Sequence, residues 1–363
     1  MTENNQLKIR QICLFFIAFV PVTKLFSMPS IVSRVSGQDI WISALLNIFI
    51  DLVTVVILTI TCTKTNMTFY QLLEKNFGKT LSKIILFLYV IYFLLKSFLP
   101  ISEQKTYVEV TLYETVPNIL YFTPFLVVAF YLCIKKIRVL GRCADIMWIF
   151  TVIGYVLLFS LSISNADLTA VYPIGKNGAT KILQGSYAGL NWYGDVVYLA
   201  FFIGKFKVER GKNYKIPLSY LLSCFMTLVF VVVFYCVFTS IAYKQRFALT
   251  ETSKYTSVIN SIGRFDYVGI ILLLTTSIIS LALPLYFATD ILAHIFKSQN
   301  RWVFALIVVL LIFLALRIFG EYFRSVERFI ISYGGIIFLI FGNVLPCLTI
   351  FMNKGEKSES LSL

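Results

Sequence analysis

Four ionisable residues interrupt segments of this chain that are otherwise apolar: Lys24, Asp51, Lys96 and Asp195. Inside hydrocarbon each costs several kcal/mol unless it is paired or wet, so such residues mark either a site or a packing device. Two of them fall in segments of unusual composition. FIAFVPVTKLFSMPSIV brackets Thr23, Lys24 and Ser27 between Pro21 and Pro29, and GSYAGLNWYGDVVYLAFFIG sets Asn191, Trp192 and Asp195 among Gly185, Gly189 and Gly194. Proline deletes a helix hydrogen bond and glycine lets the backbone leave helical geometry cheaply. Backbone groups freed at membrane depth must line a cavity or be buried in protein, and half-helix N-termini favour carboxylates. The pattern suits a small zwitterion such as an amino acid. Its candidate ligands are Thr23, Lys24, Phe26 and Ser27 from the first segment, and Tyr187, Asn191 and Asp195 from the second. Backbone at the breaks would take the ammonium and carboxylate ends, with Phe26 and Tyr187 shaping the side-chain pocket.

The four charges allow two opposite-sign pairs, with Asp51 and Lys96 as candidate intramembrane partners. Lys24 then holds either a ligand carboxylate or Asp195, and its charge is able to replace the coupling cation of an ion-driven transporter. The competing reading is a buried pair that only fixes helix packing. Thr275, Thr276 and Ser277, followed by Ser280 and Pro284, are candidate cation-site hydroxyls, although such groups more often bond back to their own helix. Asp290 and His294, one turn apart, read as a local pair.

The elements that must position these residues follow from hydropathy. An apolar stretch of about 20 residues spans a bilayer as a helix. Ten such runs occur, at 11–31, 40–62, 81–99, 118–134, 144–164, 183–204, 217–242, 267–287, 302–319 and 329–352. The expected fold is therefore an all-α integral membrane protein of about ten transmembrane helices in one polytopic domain, 1–363. Ten divides into two five-helix repeats, 1–164 and 183–352, and the interrupted runs are then the first of each half. That is the arrangement of inverted-repeat transporters of the LeuT and APC type, with broken helices one and six. Lys and Arg favour the connections on one side roughly two to one, which places the N-terminus and the polar tail 353–363 in the cytoplasm. The third run is expected to continue as helix beyond the bilayer, and 65–79 reads as an amphipathic helix on the inner surface. The polar outer connections are 165–184 and 243–266.

Composition excludes several functions. The chain is 58% hydrophobic and 14% charged, against about 25% charged in soluble domains. The net charge of +14 lies in short tracts between apolar runs, such as KKIRVLGR (135–142), rather than on a nucleic-acid-binding face. Seven cysteines without paired spacing and a single histidine offer no metal centre, disulfide frame or His-dependent triad. No nucleotide-binding loop or catalytic spacing is present, so neither an enzyme nor a cofactor is expected.

The chain resembles the B-subunit, or spore permease, family of nutrient germinant receptors, within the amino acid–polyamine–organocation superfamily. The likeness lies in SMPSIV (27–32), GQDIWISALL (37–46), FGKTLSKIILFLYVIYFLLKS (77–97), GRCADI (141–146) and NADLTAVYPIGKNGATKILQGSY (165–187), in that order and spacing. It implies a pocket between helices one, three, six and eight, and small amino-acid-like ligands. It also implies assembly with an A subunit and a lipoprotein C subunit, in contact with lipid of the spore inner membrane. An amino-acid permease of the cell membrane is the alternative.

Overall fold

The computed structural model describes residues 7–64, 67–112, 118–206, 211–254, 266–320 and 322–352. The tail at 353–363, the middle of the basic tract at 207–210 and loop residues 255–265 lie outside the described residues, and so do the positions expected for them. Among the described residues the secondary structure is helical apart from one isolated bridge between Leu7 and Phe206.

α1 (Ile9–Phe19) stops short; a 3-10 turn at Val22–Lys24 leads on to α2 (Met28–Ser36) and, after a second at Gly37–Asp39, to α3 (Ile40–Lys64). α4 (Phe69–Leu112), α5 (Asn118–Ile134) and α6 (Ile137–Ser162) follow. α7 (Gly178–Gly189) and α8 (Val197–Phe202) flank an irregular stretch, and α9 (Lys215–Phe238), α10 (Ala248–Lys254), α11 (Asp266–Ile295) and α12 (Arg301–Phe319) come next. The last run is built from α13 (Phe323–Phe329), α14 (Gly335–Leu339) and α15 (Leu345–Met352), joined by π turns at Ile330–Gly334 and Ile340–Val344.

Seven helical segments are long and apolar enough to cross a membrane, from Met28–Cys62 to Ser325–Met352, and Thr123–Ile134 is a shorter apolar helix. The remaining apolar runs, 11–31 and 183–204, are the two that break. Large apolar side chains such as Phe49, Val127, Val156, Leu314 and Ile318 are exposed around the bundle. A surface so oily is one for lipid rather than water. The protein is an integral membrane protein.

α4 is two helices in one. Gly78 departs from helical geometry (φ 76°, ψ 169°), a backbone region that glycine enters without steric cost. The part before it buries Phe69, Tyr70, Leu72 and Leu73 and exposes Gln71 and Glu74, the amphipathic pattern expected there. The part after it rises roughly 50 Å at 1.5 Å per residue, against a hydrocarbon layer of about 30 Å, so it outruns the span.

The broken elements lie at the centre. α1 packs on α6 and α9, α2 on α7, α3 on α7 and α9, and α11 on α4, α5, α6 and α12. The connection between α6 and α7 is pinned to the α2–α3 corner: Asp39 accepts from the backbone N–H groups of Gly175 (2.7 Å) and Asn177 (3.1 Å). α7 approaches α2 and α3 closely because small residues face one another. A Cβ on Gly185 would stand 2.8 Å from Ser43 Oγ and 2.9 Å from Ser36 Cβ. Close backbone approach through small residues is a usual way for helices to associate in lipid. Gly185→Val should therefore overpack the contact by about 1–3 kcal/mol. The check is a lowered thermal midpoint of the detergent-purified protein.

Candidate functional site

The first break begins where Pro21 removes a helix donor and ends where α2 starts anew, with Pro29 in its first turn. Its freed carbonyls are nearly all taken up. Ala18 O accepts from Thr151 Oγ1 (2.9 Å), Phe19 O from Ser280 Oγ (2.8 Å), Pro21 O from the Tyr155 hydroxyl (3.1 Å) and Val20 O from Lys24 Nζ (2.8 Å). Leu25 O and Phe26 O accept from the first-turn N–H groups of α10, those of Leu249 and Ala248 (2.9 and 3.0 Å). Donors that a helix start leaves unused thus satisfy acceptors that a helix break sets free.

The second break runs through Leu190–Trp192, an extended Tyr193 and Gly194 at φ 77°. Here the side chains that serve it are charged. Tyr193 O accepts from Lys96 Nζ (2.7 Å), and Gly194 N–H donates to both oxygens of Asp51 (3.2 and 3.1 Å). Asp51 also receives the Tyr220 hydroxyl (2.6 Å) and Asn343 Nδ2 (2.7 Å), the latter carried by the second π turn. Asp51 is thus solvated by three neutral donors, one of them a backbone N–H at the positive φ that Gly194 readily adopts.

Asp195 joins the two breaks. Lys24 Nζ lies 2.5 Å from its Oδ2 and Lys96 Nζ 3.1 Å from its Oδ1, with all three side chains almost wholly buried. Of the two outcomes open for Lys24, the pair with Asp195 is the one present. The two aspartates and two lysines balance in formal charge.

Beside this cluster is a small hollow, lined by Thr23, Lys96, Ser97, Pro100, Asn191, Trp192, Asp195, Tyr198, Ser280, Leu281 and Pro284. In this conformation it has room for about one water molecule, so a larger ligand enters only as the bundle opens. Aromatic packing backs it: Tyr198 stacks on Phe287 (centroids 5.1 Å apart) and on Phe93 (6.0 Å).

The residues singled out from sequence divide. Thr23, Asn191 and Asp195 line the hollow, as do Lys96 and Ser280. Lys24 is held against Asp195, and Ser27 is buried with an unpartnered hydroxyl. Phe26 packs on Tyr107, and the Tyr187 hydroxyl donates to Ser332 O (3.0 Å), so neither lines the hollow. Thr275, Thr276 and Ser277 bond back to carbonyls of their own helix, and Ser277 also accepts from Gln104 Nε2 (2.7 Å).

Asp290 and His294 do not pair with one another. Asp290 is taken by Lys205 (2.9 Å), Arg301 (3.1 Å) and the Tyr70 hydroxyl (2.9 Å), while His294 stacks on the Tyr70 ring at 4.1 Å. Full cations from other elements outcompete a weakly basic neighbour one turn away. Tyr220, Asn343 and Glu103 were not anticipated. The first two are single polar groups in apolar runs, and Glu103 lies just past the expected end of the third run at 99.

A sequence profile described as spore germination protein matches residues 6–323. The chain belongs to the spore germination protein family. No curated protein matches this chain in sequence. Its fold is that of solved transporters. It aligns with the crystal structure of a mutant Eremococcus coleocola manganese transporter at a TM-score of 0.57 and 14% identity, over 93% of this chain and 78% of that one. The same organism's manganese transporter in complex with an aromatic bis-isothiourea substituted compound gives 0.52 and 13%, over 96% and 82%. At such identities the likeness is one of fold. The germination protein is thus a membrane protein of transporter architecture.

Because Asp195 serves both lysines, its removal strands two buried cations, whereas Lys24→Met leaves the Lys96 pair intact. Breaking a buried pair from one side costs about 3–5 kcal/mol. Asp195→Asn should therefore lower the thermal midpoint of the purified protein more than Lys24→Met does; the reverse order would rule out the bridging role.

Proposed function

We propose that this chain is the membrane subunit of a nutrient receptor, and that it binds a small amino-acid-like ligand where the two helix breaks meet. Binding shifts the balance between conformations of the bundle, and the assembled receptor passes that shift on as the trigger for germination. The observation that carries the reading is the small polar hollow at the junction of two broken helices, inside a bundle otherwise filled by apolar and aromatic side chains. On this reading the breaks are the matching first helices of two five-helix inverted repeats, 1–164 and 183–352, in a bundle of ten spans. Both termini face the cytoplasm, and the partners are an A subunit and a lipoprotein C subunit in the spore inner membrane.

Thr23, Ser27 and Asn191 would contact the ligand directly. Lys24 and Asp195 would act mainly as a charged brace between the breaks. The manganese named for the solved neighbours does not suit this pocket, whose single lining carboxylate, Asp195, is already held by Lys24 and Lys96.

A second reading, an amino-acid permease, is favoured by the transporter fold itself. Saturable uptake of labelled amino acid by the isolated chain in proteoliposomes would support it over sensing alone. For the sensing role, spores carrying Asn191→Ala should need at least about tenfold more of an L-amino-acid mixture for half-maximal germination, since a lost contact of about 1.4 kcal/mol has that effect. The measurement is a germination dose–response at matched receptor levels. An unchanged curve for both Asn191→Ala and Thr23→Val would remove the pocket from the pathway.

A further inference from the structure

Buried polar groups in a folded protein normally have partners, and those that lack one call for an explanation. Around the first break several lack one together. Glu103 is 2% exposed, and both its carboxylate oxygens are without a hydrogen-bond partner. Ser27 Oγ, Trp192 Nε1 and both amide atoms of Asn191 are buried and unpartnered as well. Ser27 and Trp192 are polar neighbours of the Glu103 carboxylate, yet no atom pair among them reaches hydrogen-bond geometry.

The placement of Glu103 follows from its helix. Lys96, Ser97 and Pro100 of α4 line the hollow. Glu103 is three residues beyond Pro100 and seven beyond Lys96, on the same face of the helix. One turn further on, Tyr107 packs on Phe26 (6.1 Å) and Phe247 (5.5 Å), which closes that end with aromatic rings. Glu103 thus stands between the polar hollow and an apolar plug.

The charge balance gives the group its meaning. Lys24 and Lys96 are both committed to Asp195, and Asp51 is filled by neutral donors. Among the described residues Glu103 forms no ion pair, and the charge that bears on it by proximity is the like charge of Glu327 in α13. Ionising a buried carboxyl that has no cation beside it is costly, and a cation brought to it offsets that cost.

We infer that Glu103 receives the positively charged nitrogen of the bound molecule, so that the hollow selects small aliphatic amines, including amino acids, over amine-free solutes of the same shape. Ser27 Oγ and Asn191 Oδ1 add neutral acceptors for the same ammonium, and Trp192 Nε1 and Asn191 Nδ2 are donors for a carboxylate on the same molecule. This rests on the ligand-binding reading above and specifies its chemistry.

The test uses the full-length chain in lipid nanodiscs and three probes built on one carbon skeleton: L-valine, isobutylamine, which lacks the carboxylate, and isovalerate, which lacks the ammonium. Binding is followed by calorimetry or ligand-induced thermal shift. Wild type should take L-valine and isobutylamine at least tenfold more tightly than isovalerate. Glu103→Gln, which keeps the shape, should abolish that preference, and Glu103→Asp should retain part of it. A carboxylate with a purely structural role would change the melting temperature of the free protein without changing the order of the probes. Isovalerate binding as well as isobutylamine, or an amine preference that survives in Glu103→Gln, would overturn the role of Glu103 and leave the small-solute pocket standing. Failure of all three probes to bind folded wild type at millimolar concentration would overturn the inference together with the pocket.

Discussion

A carboxylate shared by two ammonium groups in a dry interior is the interaction on which the rest of this structure depends. Each lysine meets two demands at once: it neutralises Asp195 and takes a backbone carbonyl that a broken helix has released, Val20 O for Lys24 and Tyr193 O for Lys96. Neither demand is easily met alone at membrane depth, since an isolated charge and an orphaned carbonyl are both expensive there. Combined, they let two segments of irregular backbone lie side by side where regular helix would otherwise be required. Asp51 supplies the complementary service, accepting the Gly194 N–H on the opposite side of the same break.

The architecture follows the same logic. Long apolar helices form the perimeter and present Phe49, Val127, Val156 and Ile318 outward, while the irregular segments stay inside, where every neighbour is protein. Hydroxyls from surrounding helices, those of Thr151, Tyr155 and Ser280, reach the first break from two sides. Among the described residues, buried polar atoms without such service include those of Glu103, Ser27, Asn191 and Trp192 near the breaks, and others on residues such as Trp41, Tyr89, Asn213 and Tyr286. Glu103 is the one carboxylate among them.

Much of this could be read from the chain because the strongest signals were local. Pro21 before Lys24 and Gly194 beside Asp195 stand where helix geometry gives way, while Gly185 and Gly189 stay within α7, and an ionisable residue in an apolar run must find a partner. Both features survived folding as expected, and so did the amphipathic segment before Gly78. What sequence did not reveal depended on direction or on distant partners. Whether Phe26 and Tyr187 turn towards the hollow is decided by rotamer and by what α4 and the last helical run offer them, and each found a partner elsewhere. The i, i+4 spacing of Asp290 and His294 suggested a pair, but Lys205 and Arg301 arrive from other elements with full charge. Asn343 gave no hint of its role, because its bond to Asp51 relies on a π turn that periodicity does not display.

The seat of α10 has a mechanical consequence. Its first two amides close on Leu25 and Phe26, so the connection between α9 and α11 is stitched to the unwound part of the first helical run by main-chain bonds, whose donors only a proline would remove. Lifting that connection would bare two carbonyls to hydrocarbon, and tilting the first run would drag the connection along. Segments more than two hundred residues apart in sequence are thereby yoked, and a rearrangement starting at either one is delivered to the other.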